Sequence, residues 1–171
     1  MVPQKPKLGM GVVLGRAVQF GKDVVIWNYV VIGEETKIGD KTRIGSFCDI
    51  GKNVAIGNNC NIQAHVTISN GCKIGNNVFI GPNSTILNDK FPYSNHLTPP
   101  IICDNVIIGG GAIILPKITI GKNSVIAAGS VVTKDVPSGV VAMGMPARKI
   151  MTRKEYEAKR RALLKAESEQ V

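Results

Sequence analysis

The stretch that decides the fold is residues 56–86, IGNNCNIQAHVTISNGCKIGNNVFIGPNSTI, in which isoleucine returns at every sixth position. A period of six fits neither the 3.6-residue repeat of an α-helix nor the two-residue alternation of an ordinary strand. The same period extends in both directions as two series separated by an interruption. The first series comprises Leu14, Phe20, Ile26, Ile32, Ile38, Ile44, Ile50, Ile56, Ile62, Ile68, Ile74, Ile80 and Ile86, and the second comprises Ile102, Ile108, Ile114, Ile120, Ile126 and Val132.

A parallel β-helix explains this repeat. Each six-residue unit would form one short strand, with its large apolar residue and a smaller residue two positions earlier both pointing inward. Three units per coil predict a column of about six coils, stacked ~4.8 Å apart. Glycine often follows the apolar residue, where it suits a corner that needs unusual backbone angles or a close approach. A sandwich of short strands, the alternative, would need irregular turns and period-two alternation.

The cysteines follow the same register. Cys48, Cys60 and Cys72 occupy the smaller inward position, so we expect them to be buried packing residues. Cys103, just after the interruption, does not follow this rule and has no assigned role. Four cysteines without a CxxC spacing predict neither a disulfide framework nor a zinc ribbon.

The composition limits the class of protein. A chain of 171 residues is one domain, and its net charge of +9 favours polyanionic partners. The sequence contains no run of eighteen apolar residues, so no membrane span is predicted. The N-terminus has no long apolar run, so no signal peptide is expected. We therefore expect a cytoplasmic protein without a membrane partner. No groove-reading motif supports nucleic-acid binding.

The C-terminal segment, residues 152–171, reads as an α-helix that follows a β-helix domain of residues 1–151. Thr152 and Glu155 have the spacing of a capping box, which marks a helix N-terminus. Repeat proteins need a cover for the open end of their core, and we expect this helix to supply it.

The interruption lies in GPNSTILNDKFPYSNHLTPPI, residues 81–101. The face of a β-helix is flat, so a column alone offers little concavity for a small molecule. A loop over residues 87–101 would wall a cleft, which explains why so regular a repeat stops there. The alternative is a surface insertion without function.

The repeated Ile-Gly-x-x-x-x unit and the closing stretch GKNSVIAAGSVVTKDVPSGVVAMGMPARKI resemble the hexapeptide-repeat acyltransferases over residues 12–150. This resemblance implies a left-handed β-helix, a homotrimer and acetyl-CoA as co-substrate between adjacent columns. The stretches VVIWNYVVIG and FIGPNSTILNDKFPYSN are similar to the UDP-2-acetamido-3-amino-2,3-dideoxyglucuronate N-acetyltransferases. That similarity implies acetylation of the 3-amino group of a UDP- or dTDP-linked amino sugar.

The chain departs from those enzymes at two positions. Asn28 stands where relatives often carry histidine, and Tyr93 stands where they carry arginine. Arginine is the natural partner of a uronate carboxylate, so a neutral 3-amino-3,6-dideoxy sugar stays open as the acceptor.

The resemblance also implies roles for loop residues. Asn88 matches the asparagine that hydrogen-bonds the reacting amine, and Asp89 and Lys90 are candidate contacts of the sugar hydroxyls. Asn83 is a further candidate contact of the substrate. His65 lies eighteen residues earlier and would stack below Asn83, one coil below the loop. His65 is therefore a candidate proton acceptor, and its alternative is an ordinary surface residue.

For the acyl donor, the resemblance indicates the closing coils. Gly110 and Ala128 would expose backbone amides to the pantetheine arm, and three basic residues would meet the coenzyme phosphates. These are Lys134, Arg148 and Lys149, for which ordinary solvation is the alternative. Trp27, at a position where glycine is usual, should point outward, and we expect it to form a subunit contact rather than to stack on a base.

Two other functions stay open. A sugar O-acetyltransferase would need a histidine base, but the loop histidine of such enzymes falls on Phe91 here. A non-catalytic structural β-helix is the second alternative. The chain has two histidines, which cannot build a three-histidine zinc site, and no metal is expected.

Overall fold

The computed structural model describes residues 5–168 of the protein. Its body is a parallel β-helix whose two-residue strands form three sheets. Strands β1 to β18 make six complete coils, and β19 and β20 begin a seventh. The predicted all-β fold, a β-helix of about six coils with a protruding loop and a C-terminal helix, is confirmed.

Each coil contributes one strand to each sheet. Sheet 1 contains β1 (Lys7–Leu8), β4 (Val25–Ile26), β7 (Arg43–Ile44), β10 (Asn61–Ile62), β13 (Phe79–Ile80), β16 (Ile107–Ile108), β19 (Val125–Ile126), β21 (Val140–Gly144) and β22 (Ala147–Thr152). Sheet 2 contains β2 (Val13–Leu14), β5 (Val31–Ile32), β8 (Asp49–Ile50), β11 (Thr67–Ile68), β14 (Thr85–Ile86), β17 (Ile113–Ile114) and β20 (Val131–Val132). Sheet 3 contains β3 (Gln19–Phe20), β6 (Lys37–Ile38), β9 (Ala55–Ile56), β12 (Lys73–Ile74), β15 (Ile101–Ile102) and β18 (Thr119–Ile120).

Three corners join the sheets. We call the turn from sheet 1 to sheet 2 the first corner, that from sheet 2 to sheet 3 the second, and that back to sheet 1 the third. In one coil these are residues 63–66, 69–72 and 75–78. Thr67 pairs with Thr85, so equivalent residues of successive coils lie eighteen positions apart. Each corner is therefore a column of equivalent residues.

The core is the inner column of large apolar residues. Among the described residues, thirteen isoleucines have less than 2% of their surface exposed, and each such burial stabilises the fold by ~1.5–3 kcal/mol. The smaller inward residues fill the corners between them. Where that residue carries a hydroxyl, it bonds to the next coil: Thr36 Oγ1 donates to the Gly51 carbonyl at 2.8 Å and Ser84 Oγ to that of Gly109 at 3.0 Å.

The glycines that follow the isoleucines are needed because the backbone of the next coil approaches closely, and not because the turn requires unusual backbone angles. A Cβ at Gly33 would lie 2.6 Å from the backbone carbon of Gly51 in the next coil. The left-handed conformation is adopted instead two residues later, mostly by other residue types. His65 and Asn83 are examples, with φ of 60° and 59°.

The loop occupies residues 87–100, because β15 begins at Ile101. Across it the register grows from eighteen to twenty-eight residues, as in the pairing of Thr85 with Ile113, so the loop inserts ten residues at the second corner. The strands above and below it remain in register. The insertion leaves the core continuous.

The C-terminal region contains a hairpin that the sequence did not predict. Strand β21 continues sheet 1 beside β19, and β22 returns antiparallel to it. Helix α1 (Arg153–Ser168) follows, with Thr152 and Glu155 in the expected capping box. Within its described residues α1 buries no side chain and packs on the hairpin, so the expectation that it covers the column is not supported by its burial.

The reactivity of the cysteine thiols tests the six-residue register that places three of them inside the β-helix. Burial raises the pKa of Cys48 to about 11 and that of Cys72 to about 12, and it also raises the pKa of Cys60. We expect a thiol reagent at about pH 8 to react with Cys103 alone in the native protein and with all four thiols after denaturation. Colour release by Ellman's reagent measures this, with Cys103→Ser as the control. Fast native labelling of any of the three buried thiols would mean that the register is wrong.

Candidate functional site

The residues predicted to form a site lie in three places. Four lie on the first corner, three at the start of the loop, and three around the C-terminal hairpin. These groups are His65, Asn83, Gly110 and Ala128; Asn88, Asp89 and Lys90; and Lys134, Arg148 and Lys149.

His65 is the upper ring of an aromatic stack on the first corner. The rings of Tyr29 and Phe47 lie 5.3 Å apart, and those of Phe47 and His65 lie 5.0 Å apart, each pair nearly parallel. Asn83 follows in the next coil, where its N–H bonds to the Ala64 carbonyl. The predicted stacking of His65 below Asn83 is therefore present. Within residues 5–168 the imidazole has no hydrogen-bond partner, so nothing fixes its tautomer.

Higher on the first corner, two backbone amides are unpaired. Among the described residues the N–H groups of Gly110 and Ala128 have no hydrogen-bond acceptor. Gly111 and Gly129, which follow them, have open space where a side chain would project. The two amides can therefore donate to a ligand that lies along this corner.

On the third corner, the equivalent backbone N–H groups have side-chain acceptors. At the equivalent turn position there, the N–H of Asn58 donates to Asn76 Oδ1 at 2.9 Å, and that of Asn76 donates to Asp104 Oδ1 at 2.9 Å. The Asn76 N–H holds the pKa of the Asp104 carboxyl below its ordinary value. An asparagine and aspartate ladder thus caps the third corner, whereas Gly110 and Ala128 have no such side chain above them.

Asp89 holds the loop together. Its carboxylate accepts hydrogen bonds from the N–H groups of Phe91 and Ser94, both at 3.0 Å. The bond from Ser94 is the main reason that the pKa of the Asp89 carboxyl lies below its ordinary value. Lys90 extends over the Phe91 ring, with Nζ 5.5 Å from its centre. We infer that Asp89 positions the loop.

Asn88 is anchored to the coil below. Its Nδ2 donates to the Asn70 carbonyl at 3.0 Å, which leaves Oδ1 free to accept a hydrogen bond. Around it lies a shallow polar pocket on sheet 2 that includes Asp49, Thr67 and Ser69. These residues were not predicted from the sequence. The eighteen-residue spacing from Asn70 to Asn88 and from Asp49 to Thr67 could have identified them.

A second cleft lies under the loop at the second corner. Its floor is apolar and its rim carries charge; it is lined by Leu87, Asp89, Lys90, Leu115, Pro116, Lys117, Ile118 and Thr133. Thr133 connects this cleft along the chain to the basic residues that begin at Lys134. Lys117 also secures the loop, since its N–H donates to the Thr98 carbonyl at 2.7 Å.

The three predicted phosphate contacts meet in one open cleft of about 570 Å³. Lys134, Arg148 and Lys149 line it together with a single carboxylate, Asp135. That carboxylate already accepts the Thr119 N–H at 2.8 Å. The excess of positive charge makes this cleft suitable for an anion.

The basic cleft adjoins the first corner. Ala142 lines the cleft, and its carbonyl accepts the N–H of Ala127, which precedes Ala128, at 2.9 Å. An extended ligand with its phosphates in the cleft would therefore pass Ala128 and Gly110 on its way to Asn83.

The two predicted catalytic residues do not meet within one chain. His65 lies on the first corner and Asn88 at the second, on opposite edges of sheet 2. Asn70, which lies one coil below Asn88, follows His65 by five residues of nearly extended chain, a span of roughly 16 Å. One small acceptor cannot touch both side chains of the same chain.

The described residues hold no group of three or more histidine, cysteine, aspartate or glutamate side chains suited to a metal ion. Over the same residues, no helix has the length and apolar character needed to cross a membrane.

A repetitive parallel β-helix with a single loop and an anion cleft defines a hexapeptide-repeat protein. The sequence matches the family described as bacterial transferase hexapeptide (six repeats) at residues 35–70 and 99–134, and the hexapeptide repeat of succinyl-transferase at residues 71–86. These matches together cover just over half of the chain. The chain belongs to the hexapeptide-repeat transferase family.

Named relatives are acyltransferases with different acceptors. A 2,3,4,5-tetrahydropyridine-2,6-dicarboxylate N-acetyltransferase of Clostridium perfringens is 61% identical over 51 residues, which are 30% of this chain and 22% of that protein. A galactoside O-acetyltransferase of Lactococcus lactis is 49% identical over 74 residues, covering 39% and 36%. The chain thus aligns with no more than about a third of either relative.

Among solved structures, AntD, an N-acyltransferase from Bacillus cereus, has a similar fold. A mutant of it in complex with dTDP-4-amino-4,6-dideoxyglucose and coenzyme A gives a TM-score of 0.58 at 22% identity, covering 93% of this chain and 91% of that one. At 22% sequence identity, this similarity is evidence about the fold alone.

Proposed function

We propose that the protein transfers an acetyl group from acetyl-CoA to the 3-amino group of a UDP- or dTDP-linked amino sugar. The observation that carries this proposal is the basic cleft, which the Ala127–Ala142 hydrogen bond joins to the first corner. On that corner the N–H groups of Ala128 and Gly110 have no acceptor among the described residues. Coenzyme phosphates would occupy the cleft, and the amide groups of the pantetheine arm would pair with the free N–H groups. The thioester would then lie near Asn83.

The active assembly in this proposal is a homotrimer. Donor groups lie on the first corner and Asn88 at the second, too far apart in one chain. Side-by-side packing of columns brings the first corner of one copy against the loop of the next, so that both reach one acceptor. The resemblance of the repeated sequence unit to the hexapeptide-repeat acyltransferases implies the same arrangement.

The chemistry needs orientation more than proton removal. The amine of a sugar is less basic than a lysine amine, with its pKa of ~10.4, because neighbouring oxygens withdraw charge, so free amine is available near neutrality. Its nitrogen attacks the thioester carbon, a C–N bond forms, and a backbone N–H such as that of Gly110 stabilises the oxyanion. The C–S bond then breaks, and the departing thiolate takes the proton from nitrogen. Asn88 Oδ1 would accept an N–H of the amine.

A sugar O-acetyltransferase is the second candidate, favoured by the match to galactoside O-acetyltransferase. A hydroxyl needs a base, which contributes ~10²–10⁴-fold. Among residues 5–168, His65 has no hydrogen-bond partner of the kind that usually orients such a base. Phe91 stands at the loop position where such enzymes carry histidine. These observations favour an amine over a hydroxyl as the acyl acceptor.

The acceptor class can be tested by substitution. We expect Asn88→Ala to reduce acetyl transfer by about ten- to a hundredfold, the effect of one lost polar contact of ~1.5–3 kcal/mol. His65→Ala should cost less than about tenfold, because no base is required. Both losses of activity are measured as thiol release from acetyl-CoA, with UDP- and dTDP-linked amino sugars and with galactosides as acceptors. Asn95→Ala, an exposed loop asparagine, is the matched control.

A loss of several hundredfold at His65, or preferential acetylation of a galactoside hydroxyl, would favour the O-acetyltransferase. Unchanged activity in Asn88→Ala would remove Asn88 from the site.

The donor site is tested separately. Lys134→Glu should weaken coenzyme A binding by about ten- to a hundredfold, since it replaces a charge-assisted contact with repulsion. Calorimetric titration measures the affinity, and Lys37→Glu, on sheet 3, makes the same charge change far from the cleft. Equal affinity of the two variants would exclude Lys134. Absence of coenzyme A binding by the unmodified protein would favour the non-catalytic structural β-helix.

A further inference from the structure

The lower first corner contains a slot that the proposed catalytic groups do not use. Trp27, Gly45 and Gln63 occupy the same turn position in three successive coils. At this position the chain usually has a small residue, because the next coil lies close: a Cβ at Gly9 would be 2.6 Å from the backbone carbon of Trp27. Trp27 and Gln63 are the large exceptions among the described coils, and each is followed one coil later by a glycine.

This alternation leaves an open pocket lined by Trp27 and Gln63. Trp27 and Gln63 are two coils apart, a separation of roughly 10 Å, and Gly45 between them contributes no side chain. A flat ring packed at ~3.5 Å from a group on each side needs about 7 Å, so one ring fits. Gly45 cannot be replaced without strain, since a Cβ there would lie 2.5 Å from the Ala64 nitrogen.

The upper wall offers hydrogen bonds to the edge of such a ring. Gln63 Nε2 donates to Asn61 Oδ1 at 2.7 Å, which fixes both amides. With Gln63 against the face of the ring, the Asn61 amide is left to meet its edge: Nδ2 remains as a donor, and Oδ1 keeps a second lone pair as an acceptor. This donor and acceptor of one amide match a ring edge with an N–H next to a carbonyl, as in uracil and thymine.

The slot also has a cation available. Arg43 lines it with Trp27, Gln63 and Ser46. Within residues 5–168 its guanidinium makes no hydrogen bond or ion pair. An exposed arginine beside an aromatic platform suits a phosphate attached to a stacked base.

We propose that this slot binds the nucleoside diphosphate of the acceptor, with a uracil or thymine base between Trp27 and Gln63 and its phosphates at Arg43. This inference rests on the proposed function. Three coil spacings, about 14 Å, separate Trp27 from Asn83 on the same corner. The nucleotide would thus extend downward from the reacting amine while the acyl donor approaches from above.

Trp27 is the single tryptophan of the chain, so its fluorescence reports on the slot directly. Titration of the protein with UDP or dTDP, without acetyl-CoA, should give a saturable change in emission. ADP, whose base lacks the imide N–H, should bind at least about tenfold more weakly. Comparison of UDP with dTDP identifies the preferred base. No saturable change with either, or equal affinity for ADP, would overturn the proposal.

Variants separate stacking from charge. Trp27→Ala should weaken UDP or dTDP binding by about five- to a hundredfold, whereas Trp27→Phe should retain most of it, because base stacking needs only an aromatic face. Arg43→Ala should weaken diphosphate binding more than nucleoside binding. Calorimetry measures these affinities, and Lys37→Ala is the charge-matched control on sheet 3.

Kinetics distinguish the two proposals. If the slot is correct, Trp27→Ala raises KM for the nucleotide sugar and leaves KM for acetyl-CoA unchanged. Acetyl transfer with unchanged nucleotide affinity in Trp27→Ala would refute the slot and leave the proposed function intact. Nucleotide-dependent quenching without any acetyl transfer would support the slot and refute the proposed function.

Discussion

The fold depends on the stacking of each coil on the next with residues eighteen apart in register. Backbone hydrogen bonds join the coils at every strand, and the isoleucines form one continuous inner column. This contact leaves so little room that glycine is the most frequent residue where a turn meets the backbone of the next coil, as at Gly33 and Gly45. The β-helix is therefore regular, and irregular segments occur only where the stacking of coils permits them.

Register also organises the site. Because each corner is a column of equivalent residues, a ligand on the first corner meets, from bottom to top, the slot of Trp27 and Gln63, then His65 and Asn83, then the free amides of Gly110 and Ala128. The basic cleft adjoins the upper end of this line. In the proposed reaction, acceptor and donor approach along one corner from opposite ends, and they meet at the level of the loop.

Much of this could be predicted from the sequence, because a strict period fixes both burial and neighbours. The inward positions of Cys48, Cys60 and Cys72 and the stacking of His65 below Asn83 follow from counting in sixes and eighteens. The hairpin after Val132 could not be predicted in that way, since the period ends there and antiparallel pairing takes over. Counting back eighteen residues from Asn88 would also have reached Asn70, its anchor, whereas the hydrogen bond that leaves Asn88 Oδ1 as an acceptor could not be read from spacing.

The first corner bears on the choice between amine and hydroxyl acceptors. A histidine that serves as a base is normally held by a second hydrogen bond, which sets its tautomer and stabilises its charged form. His65 is held instead by its ring face, against Phe47, which fixes the plane of the ring but neither nitrogen. The Asn88 amide, by contrast, is held through its nitrogen by the Asn70 carbonyl, so its oxygen is positioned as an acceptor. A site with a fixed acceptor and an unfixed imidazole is suited to orienting an amine that is already nucleophilic.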